Sequence, residues 1–155
     1  MIRLKKVLVP TDFSESARHA FTYGVSFARE YEAELVLLHV VENLTVGYAS
    51  DLFPVPMAEV FQEISGYAKA ELARLGEEAR GRGVGVQELV VQGKPSVEII
   101  RFAAEHQVDM IVLGTHGKGV LDQALFGSTT ERVVRRAPCP VLTVRPAEHE
   151  FVEGD

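Results

Sequence analysis

The stretch GTHGKGVLDQALFGS, residues 114–128, opens with glycines at 114, 117 and 119 and closes on Gly127-Ser128. Glycine permits a positive φ or a close approach of backbone to ligand. A helix that starts after Gly127 presents N–H groups and a dipole that favour an anion. The hydroxyls of Ser128, Thr129 and Thr130 add donors suited to phosphate oxygens. A connection this long inside a compact domain is usually functional or disordered. Val120, Leu121, Leu125 and Phe126 make its interior too apolar for disorder. Folded against the body, the segment brings Gly114 and Gly117 up to Gly127, which favours an anion cradle in two halves over a plain flexible connection.

Familiar signatures do not account for it. No GxxxxGK[ST] or GxSxG string occurs, and residues 114–119 read GxxGxG, the wrong order for a dinucleotide fingerprint. The other unusual turn is PTDFSES, residues 10–16, where Asp12 either caps a helix or faces a ligand. Ser14 is an equally good cap, which favours the ligand role for Asp12. His116 is either a surface imidazole or a ligand contact, and Lys118 either a solvated charge or a phosphate contact. His19, His39, His106 and His149 lack ligand spacing, so no protein metal site is expected. Cys139, the only cysteine, reads as a small buried residue; a catalytic thiol needs a His or a helix N-terminus to activate it.

The elements that position these residues follow from periodicity. Apolar runs at 5–10, 33–40, 86–91, 108–114 and 139–144 read as strands. The second and fourth are continuously apolar, as in a parallel sheet covered on both faces; the third and fifth suit its edges. Ala17 to Tyr31 and Phe61 to Ala79 repeat at helical spacing, the latter ending in GRGVG at 81–85. Pro95 opens a third helix, and Ser128 with Glu131 has the spacing of a capping box for a fourth. Strand and helix alternate, which predicts an α/β fold, a doubly wound parallel sheet with helices on both faces. Ligands bind such sheets at the carboxyl ends of the strands, where strand order reverses, and both unusual turns lie at such ends.

The chain has 155 residues, 46% hydrophobic and 25% charged, enough for one domain with its own core. No run reaches the roughly 18 apolar residues of a membrane span, and the N-terminal apolar run is too short for a secretory signal. A cytoplasmic protein is expected, with no membrane partner. The formal net charge of -6 argues against a sequence-independent grip on nucleic acid but not against a small anion held by backbone groups. The acidic tail 147–155 is expected to be loose.

The spacing Gly114-x2-Gly117-x9-Gly127-Ser128 resembles the G-2x-G-9x-G-[S/T] motif of the ATP-binding branch of the universal stress protein family. VLVPTDFSESARHAF, LVLLHVVE, VVQGKP and RRAPCPVLTVRP resemble further segments of that family, in order and over nearly the whole chain. The resemblance implies one domain over 1–146, a Rossmann-like five-stranded parallel sheet in order 3-2-1-4-5, and ATP as ligand. Mg or Mn would be held mainly by the phosphates. It implies Asp12 near the ribose and adenine, flanked by Pro10 and Thr11, and the backbone of Val40 against adenine. Gly114, His116, Gly117, Gly127, Ser128, Thr129 and Thr130 match phosphate and ribose contacts, and Lys118 a phosphate contact. It further implies a homodimer through 140–144 and a regulatory stress-response role toward an unidentified protein partner. Segment 42–56 matches no motif and is a candidate lid. Phosphoryl transfer needs a positioned base and several charges. One Lys and one distant Asp suggest slow or partner-dependent hydrolysis at most. A genuine ATPase and a nucleotide-free interaction module are the alternatives.

Overall fold

The computed structural model describes residues 1–42, 57–116 and 126–145. Strands β1 (Lys6–Pro10), β2 (Glu34–Val41), β3 (Val86–Gln92), β4 (Met110–Gly114) and β5 (Val141–Val144) alternate with helices α1 (Glu15–Glu30), α2 (Met57–Gly81), α3 (Pro95–Glu105) and α4 (Ser128–Arg136). The strands form one parallel sheet in order β3-β2-β1-β4-β5, as expected, with the polar third strand and the short fifth at its edges.

Strand alternation sorts the core into two layers. Val7, Val9, Leu35, Leu37 and Val112 face α1 and α2, where they meet Ala20, Phe21, Leu72 and Leu75. Leu8, Val36, Leu38, Ile111 and Leu113 face α3 and α4, where they meet Ile99, Phe102 and Val133. Runs without polar alternation are therefore what this sheet requires. The glycine-rich stop after α2 is a Schellman motif: Gly83, at φ +82, donates to the Arg80 carbonyl and Val84 to that of Ala79. The same two bonds end α1 with Glu32 at φ 53 in place of glycine, and α3 shares the bond that spans the end, from Val108 to the Ala103 carbonyl, with Gln107 at φ 50.

Strand ends differ slightly from expectation. β4 begins at Met110 rather than Val108, because Val108 closes α3 through a bond to the Ala103 carbonyl. Asp109 uses its carboxylate to accept the N–H groups of Lys5 and Lys6 at 2.8 and 2.9 Å, tying the start of β4 to the start of β1.

Candidate functional site

β1 and β4 lie side by side, yet the chain leaves β1 toward β2 and reaches β4 only after β3. The turns leaving β1 and β4 therefore diverge to opposite sides, and a crevice opens between Pro10 and Gly114. A cavity of about 490 Å³ occupies it. Pro10, Thr11, Asp12, Val40, Gly114, His116, Gly127, Ser128, Thr129 and Thr130 all line it, whereas Gly117 and Lys118 lie outside the described residues. Glu42 also lines it, but the rest of the candidate lid, 43–56, and the tail 147–155 lie outside the description. A second hollow, about 460 Å³ beside Ala28, Glu32 and Gly83, sits at the amino ends of β2 and β3, the wrong end for this fold.

One wall of the cavity is the start of α4. Gly127 is its N-cap, at φ -69 and ψ 163, and no side chain caps the helix. The expected capping box is not formed, and this corrects the sequence reading by one residue. Ser128 is already helical, so its hydroxyl is not placed to accept from the third N–H. The Glu131 carboxylate pairs with Arg135 at 3.0 Å instead of reaching back. An α4 N-terminus without a side-chain cap keeps its first N–H groups for a ligand.

Two hydrogen bonds bring the two halves of the glycine stretch together. The Gly127 N–H donates to the Thr115 carbonyl at 2.7 Å, and the Thr130 hydroxyl to the Gly114 carbonyl at 2.8 Å. Thr130 is thereby buried with its proton committed; it positions α4 and retains only acceptor capacity, which phosphate oxygens do not complement. Ser128 and Thr129 keep more exposed hydroxyls beside the cavity.

Gly114 has a different reason from the expected one. It does not take a positive φ; it is an extended strand residue pressed against α1. A Cβ there would lie 2.2 Å from Ser16 Oγ and 2.7 Å from the Ser16 carbonyl. The buried Ser16 hydroxyl in turn accepts from the His116 N–H at 3.4 Å, and the His116 ring meets the Thr115 hydroxyl at 2.8 Å.

The opposite wall is the turn after β1. Ser14 caps α1, accepting from Ala17 N–H at 3.2 Å, as Asp12's ligand role required. Asp12 uses one carboxylate oxygen to accept from the Ser14 N–H at 3.0 Å and still lines the cavity.

The floor near β2 is apolar, from Leu38, Val40, Ile64, Ile99 and Leu113. The Leu38 carbonyl accepts from Thr11 and the Val41 carbonyl from Gly93, on opposite edges of β2. Val40 is in phase with Leu38, so its N–H and C=O turn toward β1 at a level where β1, paired only up to Leu38, has ended. A flat heterocycle with edge donors and acceptors suits that position. Sequence reasoning missed Ile64, Ile99 and Leu113, whose helical or strand periodicity marks them only as core, Pro95, read only as a helix start, and His39, set aside for lack of metal-ligand spacing.

Among the described lining residues there is no lysine or arginine, and the described residues contain no group of three or more His, Cys, Asp or Glu that could hold a metal. No described helix is long and apolar enough to cross a membrane. Cys139 is half-buried against the α3–α4 layer; burial pushes its thiol up from the ordinary value, with the Asp109 carboxylate adding to the effect and a bond from the Ile111 backbone opposing it.

The sequence profile of the universal stress protein family matches residues 3–145. A universal stress protein of Methanocaldococcus jannaschii is 33% identical over 147 residues, covering 94% of this chain and 85% of the relative. Among solved structures, the universal stress protein UspA of Lactobacillus plantarum superposes with a TM-score of 0.83 at 30% identity, over 94% of this chain and all of that one. A universal stress protein solved in complex with cAMP has a TM-score of 0.67, covering 94% of this chain and 100% of the other; at 24% identity the likeness is one of fold.

Proposed function

This chain belongs to the universal stress protein family, and we propose that it is an ATP-binding regulatory member of it, with slow or partner-dependent hydrolysis at most. The observation that carries the reading is the pairing of the α4 N-terminus with the apolar end of β2 across one cavity. Adenine takes the floor of Val40, Ile64 and Ile99, with the Val40 backbone along its edge. Asp12 accepts from ribose hydroxyls, and the N–H groups that open α4, with the Ser128 and Thr129 hydroxyls, take the phosphates. Gly114, His116, Gly117 and Lys118 complete the phosphate side, as the spacing of the glycine motif implies. A Mg or Mn ion would be held mainly by the phosphates, consistent with magnesium's preference for substrate oxygens.

Binding is favoured over turnover by the chemistry of the wall. Backbone donors and hydroxyls stabilise a bound polyphosphate, but the described lining offers no lysine or arginine against transition-state charge. The dimer reading rests on β5, a half-buried edge strand whose outer side suits pairing with a second copy through 140–144.

The purified protein is expected to release adenine nucleotide when denatured, read by anion-exchange chromatography, or to bind added ATP–Mg in calorimetry. A protein that is empty and binds none would remove the nucleotide reading and leave the interaction-module alternative. Phosphate release within seconds in a single-turnover assay without a partner would instead establish an ATPase.

A further inference from the structure

We infer that His39 sets Asp12 for ribose recognition and so determines whether the cavity prefers a ribonucleotide; this rests on the ribose role given to Asp12 above. Alternation along β2 turns His39 away from Leu38 and Val40, toward α1 and the turn after β1. Its Nδ1 lies 2.8 Å from the Thr11 carbonyl. A carbonyl can only accept, so Nδ1 carries the proton. That carbonyl belongs to the peptide joining Thr11 to Asp12. On the other side of Asp12, the Phe13 ring stacks on the imidazole at 4.7 Å and 26°. One side chain therefore holds the residue before Asp12 by a hydrogen bond and the residue after it by a ring face.

The turn needs holding. Phe13 has φ 63, a left-handed backbone that a bulky side chain adopts only when its surroundings impose it. The Thr11 hydroxyl accepts from the Phe13 N–H at 3.0 Å, but this bond lies within the turn and leaves its orientation to the sheet undetermined. The Thr11 N–H bond to the Leu38 carbonyl ties the start of the turn to β2, and His39 adds a side-chain hold on both sides of Asp12 from the same strand, which also carries the Val40 backbone groups. Adenine position and carboxylate position are thus set from adjacent residues of one rigid element.

A merely structural histidine would alter stability or weaken all nucleotides alike. A positioning histidine alters the discrimination between nucleotides with and without ribose hydroxyls. Calorimetry on the full chain with ATP–Mg and with 2′,3′-dideoxyATP–Mg separates the two, for the parent, His39→Asn, His39→Gln and His39→Leu. The parent is expected to prefer ATP by about tenfold, the worth of a hydrogen bond to a charged group. The Asn amide nitrogen falls near the place of Nδ1 and keeps most of that preference. The Gln amide reaches the place of Nε2 instead, and Gln and Leu are expected to cut the preference to about twofold or less, with dideoxy affinity little changed. Thermal melts without nucleotide check folding; if His39→Leu fails to fold, the Asn and Gln pair still decides. Full preference in His39→Gln, or equal weakening of both ligands in every variant, overturns the inference while leaving the site reading standing. A parent that binds both ligands equally removes the ribose role of Asp12 and the inference with it, and a parent that binds neither removes the nucleotide reading itself.

Discussion

The Thr130 hydroxyl donates to the Gly114 carbonyl at 2.8 Å, joining the first turn of α4 to the last residue of β4 across the connection between them. Thr130 is buried and Gly114 half-buried, so removing the donor leaves a largely covered carbonyl without this partner. Thr130→Val keeps the shape and is expected to cost about 1–2 kcal/mol in denaturant unfolding. It should also weaken ATP–Mg binding, because the α4 N–H groups lose their register against the cavity. Thr130→Ser should retain both properties. Unchanged unfolding and unchanged affinity in Thr130→Val would show that this bond positions nothing.

The ends of α1, α2 and α3 test the backbone account. In all three the residue after the left-handed one donates back to the helix, from Ala33 to Ala28, Val84 to Ala79 and Val108 to Ala103, but only α2 places glycine at the left-handed residue. A Cβ at Gly83 meets nothing within 4 Å, so the cost of Gly83→Ala is conformational, about 1 kcal/mol. The exposed Gln107 at φ 50 is the converse case, and Gln107→Gly is expected to stabilise by about 0.5–1 kcal/mol after the entropy of glycine is subtracted. In a chain of this size that is a melting shift of a few degrees, roughly 2–4 °C per kcal/mol. A lower melting temperature in Gln107→Gly would contradict the assignment of its backbone.

The strands were legible because a sheet covered on both faces writes continuous apolar runs, whereas the order that sets the reversal at β1 and β4 came from the family resemblance and not from the pattern. Ten of the expected site residues meet at one cavity because two strand ends and one helix start place them there. What periodicity does not carry is which of several neighbouring residues takes a given backbone state. The run Gly127-Ser128-Thr129-Thr130 offers several possible caps, and tertiary bonds to Thr115 and Gly114 select Gly127. The reason for Gly114 lies in Ser16, and that for His39 in Thr11 and Phe13. These are contacts between distant parts of the chain, with no trace in local pattern.

Cys139 provides a pH-dependent signature away from the cavity. Burial first, and the Asp109 carboxylate second, hold its folded pKa above the ordinary value. The protonated thiol is thus favoured by folding. Its contribution to stability is complete below the unfolded pKa and is lost as pH rises through the higher folded one. Alkylation by iodoacetamide at mildly alkaline pH should therefore be slower in the folded chain than in denaturant, and Asp109→Asn should speed it. A folded-state rate equal to or above that of the unfolded chain would contradict this.

Gly114 and Gly127 belong to the same motif yet should fail in opposite ways when given a side chain. At Gly114 a Cβ meets backbone atoms of Ser16 at 2.7 Å, which no rotamer change relieves. Gly114→Ala is expected to destabilise the chain by about 3 kcal/mol or more, and Ser16→Ala should not restore it, because the clash is with main chain as well as hydroxyl. Gly127 has φ -69 and ψ 163, a conformation open to any residue, so Gly127→Val should unfold at nearly the parent denaturant concentration. Its side chain would instead stand where phosphate approaches the α4 N–H groups, and ATP–Mg binding should fall below detection in calorimetry. A Gly127→Val protein with parental affinity would remove the phosphate cradle, and a stable Gly114→Ala would mean that α1 and β4 are not packed at Ser16.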